Sequence, residues 1–233
     1  MKDKSIRLFI AGDSTAATCP AFEAPMAGWG QMLQDFFTEE IEVCNEAMGG
    51  RSSNSFIEEG RLLSIQDRIQ PGDYLFIQFG HNDQKSYGTE PYTSYQACLA
   101  EYAALAHTKN AFPVFLTSVN RRKFSEDGTL LDTLGDYPDA MRQLAKRLAV
   151  PLIDMHIKTK GLYESLGPEA SKELFVWLTA GEHPNYPSGL QDDTHFHSSG
   201  AVEICRLLIE GIMELPLELK NFIKKTEIRL GDS

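Results

Sequence analysis

The chain has 233 residues, enough for one sizeable core, and its 42% hydrophobic and 24% charged content is ordinary for a soluble globular protein. Its 33 acidic against 22 basic residues give a formal net charge of −11, which argues against nucleic acid as a partner, since phosphate backbones need a basic surface. An acidic polysaccharide would have to find a local basic pocket and bind against the global field, without gain from steering.

The opening Met1-Lys2-Asp3-Lys4-Ser5-Ile6-Arg7 runs directly into a strand-like segment, with no apolar stretch of signal-peptide length. Nowhere does the chain offer the roughly 20 apolar residues of a membrane span. The expectation is a cytoplasmic protein without membrane contact, although an exported protein trimmed of its leader would read the same. Cys19, Cys44, Cys98 and Cys205 are scattered with no C-x-x-C pair, so neither a zinc site nor a redox motif is suggested. Cys44 and Cys205 lie inside apolar patterns and read as small core residues.

In chain order, the pattern alternates short strands with longer helices. Ile6 to Ala11 is a strand ended by Gly12, and Gly28 to Glu39 is a helix with Trp29, Met32, Leu33 and Phe36 at helical spacing. Ile41 to Asn45 and Tyr74 to Phe79 are the second and third strands, the latter preceded by a turn at Pro71-Gly72-Asp73. Tyr92 to Asn110 reads as a long helix and Pro113 to Val119 as a fourth strand. Asp136 to Leu148 is helical, with Met141, Leu144 and Leu148 inward, and Pro151 to Met155 is a fifth short strand. Ser198 to Leu215 is a late amphipathic helix, which Pro216 breaks before a short final one. Apolar strands separated by helices imply a parallel sheet covered on both faces, with ligands at the carboxyl ends of its strands. No linker or repeat divides the chain, so one domain over 1–233 is expected.

The polar clusters follow the strands. Gly12-Asp13-Ser14-Thr15 leaves the first strand and exposes a serine at the mouth of the sheet; a helix cap is the competing reading of Asp13 or Ser14. The same Gly-Asp-Ser occurs at Gly231-Asp232-Ser233, where a frayed terminus makes a site implausible. Asn45 to Ser52 leaves the second strand, and its Gly49-Gly50 pair lets backbone approach a ligand and present an N–H, or simply makes a turn. Gly80-His81-Asn82-Asp83 leaves the third strand; Asn82 offers an amide donor, or an Asx-turn. Asp192-Asp193-Thr194-His195-Phe196-His197 forms a late loop before the last long helix. A carboxylate three residues before a histidine fixes the imidazole tautomer and leaves the other nitrogen free to take a proton from a serine. Together these are a nucleophile, two oxyanion donors and a base with its orienting acid, the parts of an acyl-transfer site.

The set Gly-Asp-Ser-Thr, Gly50, Gly-His-Asn-Asp and Asp-x-x-His resembles the SGNH hydrolases, also called GDSL esterases, from Ile6 to about Leu215. Asn45 to Ser52, Thr117 to Arg122 and Asp192 to Ala201 look like the rhamnogalacturonan acetylesterase branch. The resemblance implies an α/β, three-layer flavodoxin-like fold on a five-stranded parallel sheet. It further implies Ser14 as nucleophile, His195 as base and Asp192 as its orienter, with an oxyanion hole from the Ser14 and Gly50 N–H groups and the Asn82 side chain. No cofactor or metal is implied, and the substrate is a small acetylated oligosaccharide. Thr15, Arg51 and Trp177 are candidates for sugar contacts, with Tyr186 a further stacking surface. Arg51 could meet a uronic carboxylate or anchor its own loop.

Three other readings compete. A metal-dependent phosphoesterase, whose metal signatures Gly80-His81-Asn82-Asp83 superficially resembles, would use Asp192, Asp193, His195 and His197 as ligands, though the turn after the first strand would then offer Asp13 with no nearby histidine and leave Ser14 without a role. A non-catalytic carbohydrate-binding protein would be expected to lack nucleophile or base. A lipolytic or thioester-cleaving enzyme would need a long apolar groove. The sequence leaves open a monomer or a homodimer.

Overall fold

The computed structural model describes residues 5–225; the second Gly-Asp-Ser, at Gly231 to Ser233, lies outside them. Five strands, β1 (Ile6–Gly12), β2 (Ile41–Asn45), β3 (Tyr74–Gln78), β4 (Phe112–Leu116) and β5 (Leu152–Ile153), pair in parallel in the order β2-β1-β3-β4-β5. This is the three-layer α/β arrangement expected. The sheet is apolar on both sides because alternate residues feed two cores: Leu8, Ile10 and Phe76 join one, and Phe9, Ala11, Leu75 and Ile77 the other.

On the first face lie α1 (Trp29–Met32), α6 (Met155–Ala170) and α7 (Ser198–Glu214), contributing Trp29, Tyr163, Ile204, Cys205 and Leu208 to the core. On the second lie α2 (Ser53–Glu58), α3 (Arg61–Gln66), α4 (Gln96–Thr108) and α5 (Tyr137–Leu148), through Phe56, Ile65, Leu99, Tyr102, Met141 and Leu144. Crossovers that alternate faces are what a doubly covered parallel sheet requires.

Several local expectations are corrected. The helix expected over Gly28 to Glu39 is one α-turn followed by a 3-10 turn, Leu33–Phe36, ending before Phe37 enters extended backbone. Leu148 is 37% exposed rather than buried, because α5 stops there and Ala149 turns into the left-handed region. Cys205 is fully buried, but Cys44 only partly so, because its strand is the sheet edge.

The segment before α7 is not a plain loop. It is β7 (Leu190–Phe196), antiparallel to β6 (Phe175–Leu178) in a separate two-stranded sheet. Trp177 pairs with Gln191 and Phe175 with Phe196, so Asp192 to His195 bulge away from the ladder opposite Val176 alone. Bulges of this kind re-aim side chains. The hairpin is tied to the β1 side of the molecule by the Met26–His197 bridge, by the Ala27 N–H donating to the Phe196 carbonyl at 3.0 Å, and by Asn185 and Tyr186 donating to carbonyls of Ala21, Glu23 and Ala24.

Candidate active site

Ser14 stands in the turn that leaves β1. No helix starts there: Asp13 Oδ1 accepts from the Thr15 N–H (3.0 Å) and hydroxyl (2.8 Å), and the Asp13 carbonyl accepts from the Ala16 and Ala17 N–H groups. This buried Asx-turn holds the chain in a sharp bend and leaves Ser14 partly exposed. Across from it, the β7 bulge brings His195 Nε2 to 2.9 Å from Ser14 Oγ. His195 Nδ1 lies 2.7 Å from Asp192 Oδ2, while Asp192 Oδ1 accepts from the Thr194 (2.7 Å) and His195 (2.8 Å) N–H groups. The carboxylate therefore fixes both ring orientation and tautomer: Nδ1 carries the proton, and Nε2 faces the serine as an acceptor.

Charge supports the same assignment of protons. Burial pulls the His195 pKa down, but the hydrogen bond and charge of Asp192, with Asp13 and Glu23, outweigh it and leave the group raised. For Asp192, burial pushes upward and His195 with the two N–H donors pull further down, leaving its carboxyl below the usual range.

Ser14, Gly50 and Asn82 line one cavity with His195, of about 800 Å³. Among the described residues neither the Ser14 nor the Gly50 N–H donates to a backbone carbonyl. Gly50 sits at φ +81°, a left-handed turn in which glycine is unstrained. Asn82 Nδ2 donates to the Arg51 carbonyl at 3.0 Å, which leaves its second hydrogen for the cavity, and its Oδ1 accepts from Lys85 Nζ at 2.6 Å. That ammonium polarises the amide and makes its N–H groups stronger donors. Next to it, His81 Nε2 donates to the Val119 carbonyl at 2.8 Å, and burial pushes its pKa down to about 4, so it is neutral near pH 7. Asp83 anchors the same loop by accepting from the Ser53 N–H (2.9 Å) and hydroxyl (2.5 Å) and from the Thr89 hydroxyl (2.9 Å).

The three candidates for sugar contacts lie elsewhere. Thr15 is 1% exposed and its hydroxyl is spent between Asp13 and Gln78, the latter donating at 2.7 Å. Arg51 turns away, its Nε 3.0 Å from Glu59 and its Nη1 2.7 Å from the Gly49 carbonyl, so it anchors the Gly49–Gly50 loop. Trp177 donates from Nε1 to Asp193 at 2.9 Å and lines a second groove of about 400 Å³ with Lys172, Gln191 and His197. Asp193 also accepts from Arg122 Nη1 at 2.6 Å, so the second aspartate of the pair braces the hairpin and does not face His195. Tyr186 does line the catalytic cavity, held by its hydroxyl on the Glu23 carbonyl at 2.9 Å.

Of the ligands of the metal reading, Asp192 and His195 bond each other, while Asp193 faces Arg122. His197 caps α7 by accepting from the Ser199 N–H, and among the described residues no three His, Cys, Asp or Glu side chains converge. Sequence reasoning did not single out Lys85, Arg121 or Glu23 as cavity residues. The one signal for Lys85 was its place one turn beyond Asn82.

Residues 10–201 match the model of the GDSL-like lipase/acylhydrolase family. The chain belongs to that family. It is a carboxylic ester hydrolase fold by descent as well as by layout. Over 227 residues it is 56% identical to rhamnogalacturonan acetylesterase RhgT of Bacillus subtilis (strain 168), covering 97% of this chain and 98% of that one. A probable rhamnogalacturonan acetylesterase of the same organism, YesY, is 40% identical over 222 residues, 94% of this chain and 97% of the relative. Among solved structures, the family fold is shared with protein YxiM of Bacillus subtilis at a TM-score of 0.78 and 25% identity, covering 91% of this chain and 57% of that one.

Proposed function

We propose that this chain removes acetyl groups from rhamnogalacturonan oligosaccharides through an acetyl-Ser14 intermediate. The observation that carries the reading is the unbroken relay from Asp192 through His195 to Ser14, opening on a cavity that also holds two unengaged N–H groups. The sugar comes from the relatives' names. The cavity wall sets Thr18, Glu23, His81, Asn82, Lys85, Arg121 and Tyr186 beside Ala17, Pro20, Met26, Ala47 and Met48, and its polar groups suit a hydroxylated substrate.

In the reaction, His195 Nε2 takes the Ser14 proton as Oγ attacks the ester carbonyl. The tetrahedral oxyanion is held by the Ser14 and Gly50 N–H groups and the Asn82 amide. His195 then protonates the leaving sugar oxygen. Water, deprotonated by the same nitrogen, attacks the acetyl-serine and releases acetate. The four cysteines stand as free thiols, which suits a reducing compartment and a cytoplasmic role on small oligosaccharides.

The test compares p-nitrophenyl acetate with p-nitrophenyl octanoate and follows acetate release from acetylated rhamnogalacturonan oligosaccharides. Preference for acetate, with release from the sugar, is the expected result; preference for octanoate would overturn the reading.

The relay also dictates pH dependence. Neutral imidazole is the base, so kcat/KM rises as His195 loses its proton, with a midpoint above the roughly 6.5 of free imidazole. Asp192→Asn should move that midpoint down, and a kcat/KM profile of both proteins across the neutral range checks it. For stability the sense is opposite. The raised His195 contributes stability that is fully present below about 6.5 and lost as pH rises through its folded value; the lowered Asp192 contributes above about 3.9 and loses it on acidification. The ion pair is therefore strongest where the enzyme is slow.

A further inference from the structure

We infer that Lys85 and Arg121 form a subsite for the carboxylate of a uronic acid residue that carries or adjoins the acetyl ester. This rests on the sugar acetylesterase reading above and adds to it the acidic unit and the residues that hold it.

Both cations line the catalytic cavity of a protein whose net charge is −11. Among the described residues, neither has a carboxylate within 4.0 Å, whereas Arg7, Arg51, Arg61, Arg68, Arg122 and Arg142 all do. Arg121 is partly buried, yet its donors meet only neutral oxygens. Nη1 reaches the Thr133 carbonyl at 3.1 Å and its hydroxyl at 3.3 Å, and Nη2 reaches the His81 carbonyl at 3.4 Å. The Gln84 amide oxygen, in the orientation that satisfies both its ends, accepts from the same guanidinium at 2.7 Å. Burial opposes this charge, and the buried Asp13 is the one acid that offsets it. Among the described residues Lys85 is held only by the Asn82 amide oxygen at 2.6 Å, and it lies 5.8 Å from the centre of the Tyr87 ring.

A charge removed from water without a counter-charge is costly unless a ligand supplies one. A guanidinium and an ammonium both pair well with a carboxylate, and among the described residues Arg121 Nε has no hydrogen-bond partner while Nη1 and Nη2 hold Thr133, His81 and Gln84. Position agrees: Lys85, in the segment after β3, and Arg121, in the segment after β4, line the same cavity as Ser14 and His195. The acid among the cavity's lining residues, Glu23, belongs to the segment after β1, beside Tyr186.

The experiment compares deacetylation of an acetylated galacturonate oligosaccharide with that of its carboxyl-methylated twin. The wild-type enzyme should favour the acid roughly 10- to 100-fold in kcat/KM, more at low salt than at high salt. Arg121→Gln should erase the preference and Arg121→Lys should keep part of it. No preference in the wild type, or a full one in Arg121→Gln, overturns the subsite. A second arm needs no variant: unacetylated galacturonate oligosaccharide should inhibit p-nitrophenyl acetate hydrolysis by the wild type, and its methyl ester should not. Equal inhibition by both also overturns it. If neither oligosaccharide is deacetylated while p-nitrophenyl acetate is turned over, the sugar reading has failed, and the subsite with it.

Discussion

Replacing Ser14 with alanine is expected to lower kcat on acetyl esters by about a millionfold, the full worth of a nucleophile acting with its base. The residual rate would come from binding and the oxyanion donors alone. The protein should fold normally, because Ser14 is partly exposed and its hydroxyl contacts only His195. Removing that hydroxyl leaves no buried donor behind. Burst-phase measurement with p-nitrophenyl acetate gives the cleanest reading: the wild type releases one equivalent of nitrophenolate ahead of turnover if deacetylation is slow, and the variant releases none. A loss of only tenfold in Ser14→Ala would mean that another group attacks the ester.

Asp192→Asn carries the second large effect, about ten-thousandfold in kcat. The amide can present an N–H to His195 Nδ1, which drives the ring to the tautomer whose Nε2 already bears a proton and cannot accept one from Ser14. Asp193→Asn makes the contrast. Its carboxylate is 2.6 Å from Arg122, whose side chain is only 8% exposed, and 2.9 Å from the indole of Trp177. Loss of that charge should destabilise the protein by about 1–2 kcal/mol, below the cost for a fully buried pair because Asp193 itself is 44% exposed. Its kcat should fall by about tenfold at most. Parallel kcat and urea-unfolding measurements separate the two aspartates, and a larger kcat loss at Asp193 would reverse their roles.

The reasons some features were legible in the sequence and others were not are local. β1 and β3 stand out because apolar runs fully buried on both faces admit few other readings. α6 was missed because Gly161, Gly167 at φ +72° and Pro168 interrupt it, and because Ile157 on its surface is 61% exposed, which blurs the helical period. α2 and α3 are single short turns divided by Gly60 in the left-handed region. β7 shows no alternation where it matters, since Asp192 to His195 leave the ladder. The Asp192–His195 contact is legible because it spans three residues. What Thr15 and Trp177 do is not, because their partners Gln78 and Arg122 arrive from distant segments, and Arg51 reaches Glu59 only once α2 folds between them. Lys85 and Arg121 share a cavity only after β3 and β4 are paired.

The relay joins two sheets that share no ladder. Ser14 stands in the turn leaving β1, a strand hydrogen-bonded on both sides within the core, whereas Asp192 and His195 ride on a half-buried bulge of a two-stranded ribbon. Opening of the ribbon alone parts the base from its serine while every pairing of β1 persists. Activity therefore depends on the ribbon staying seated as well as on the central sheet staying folded.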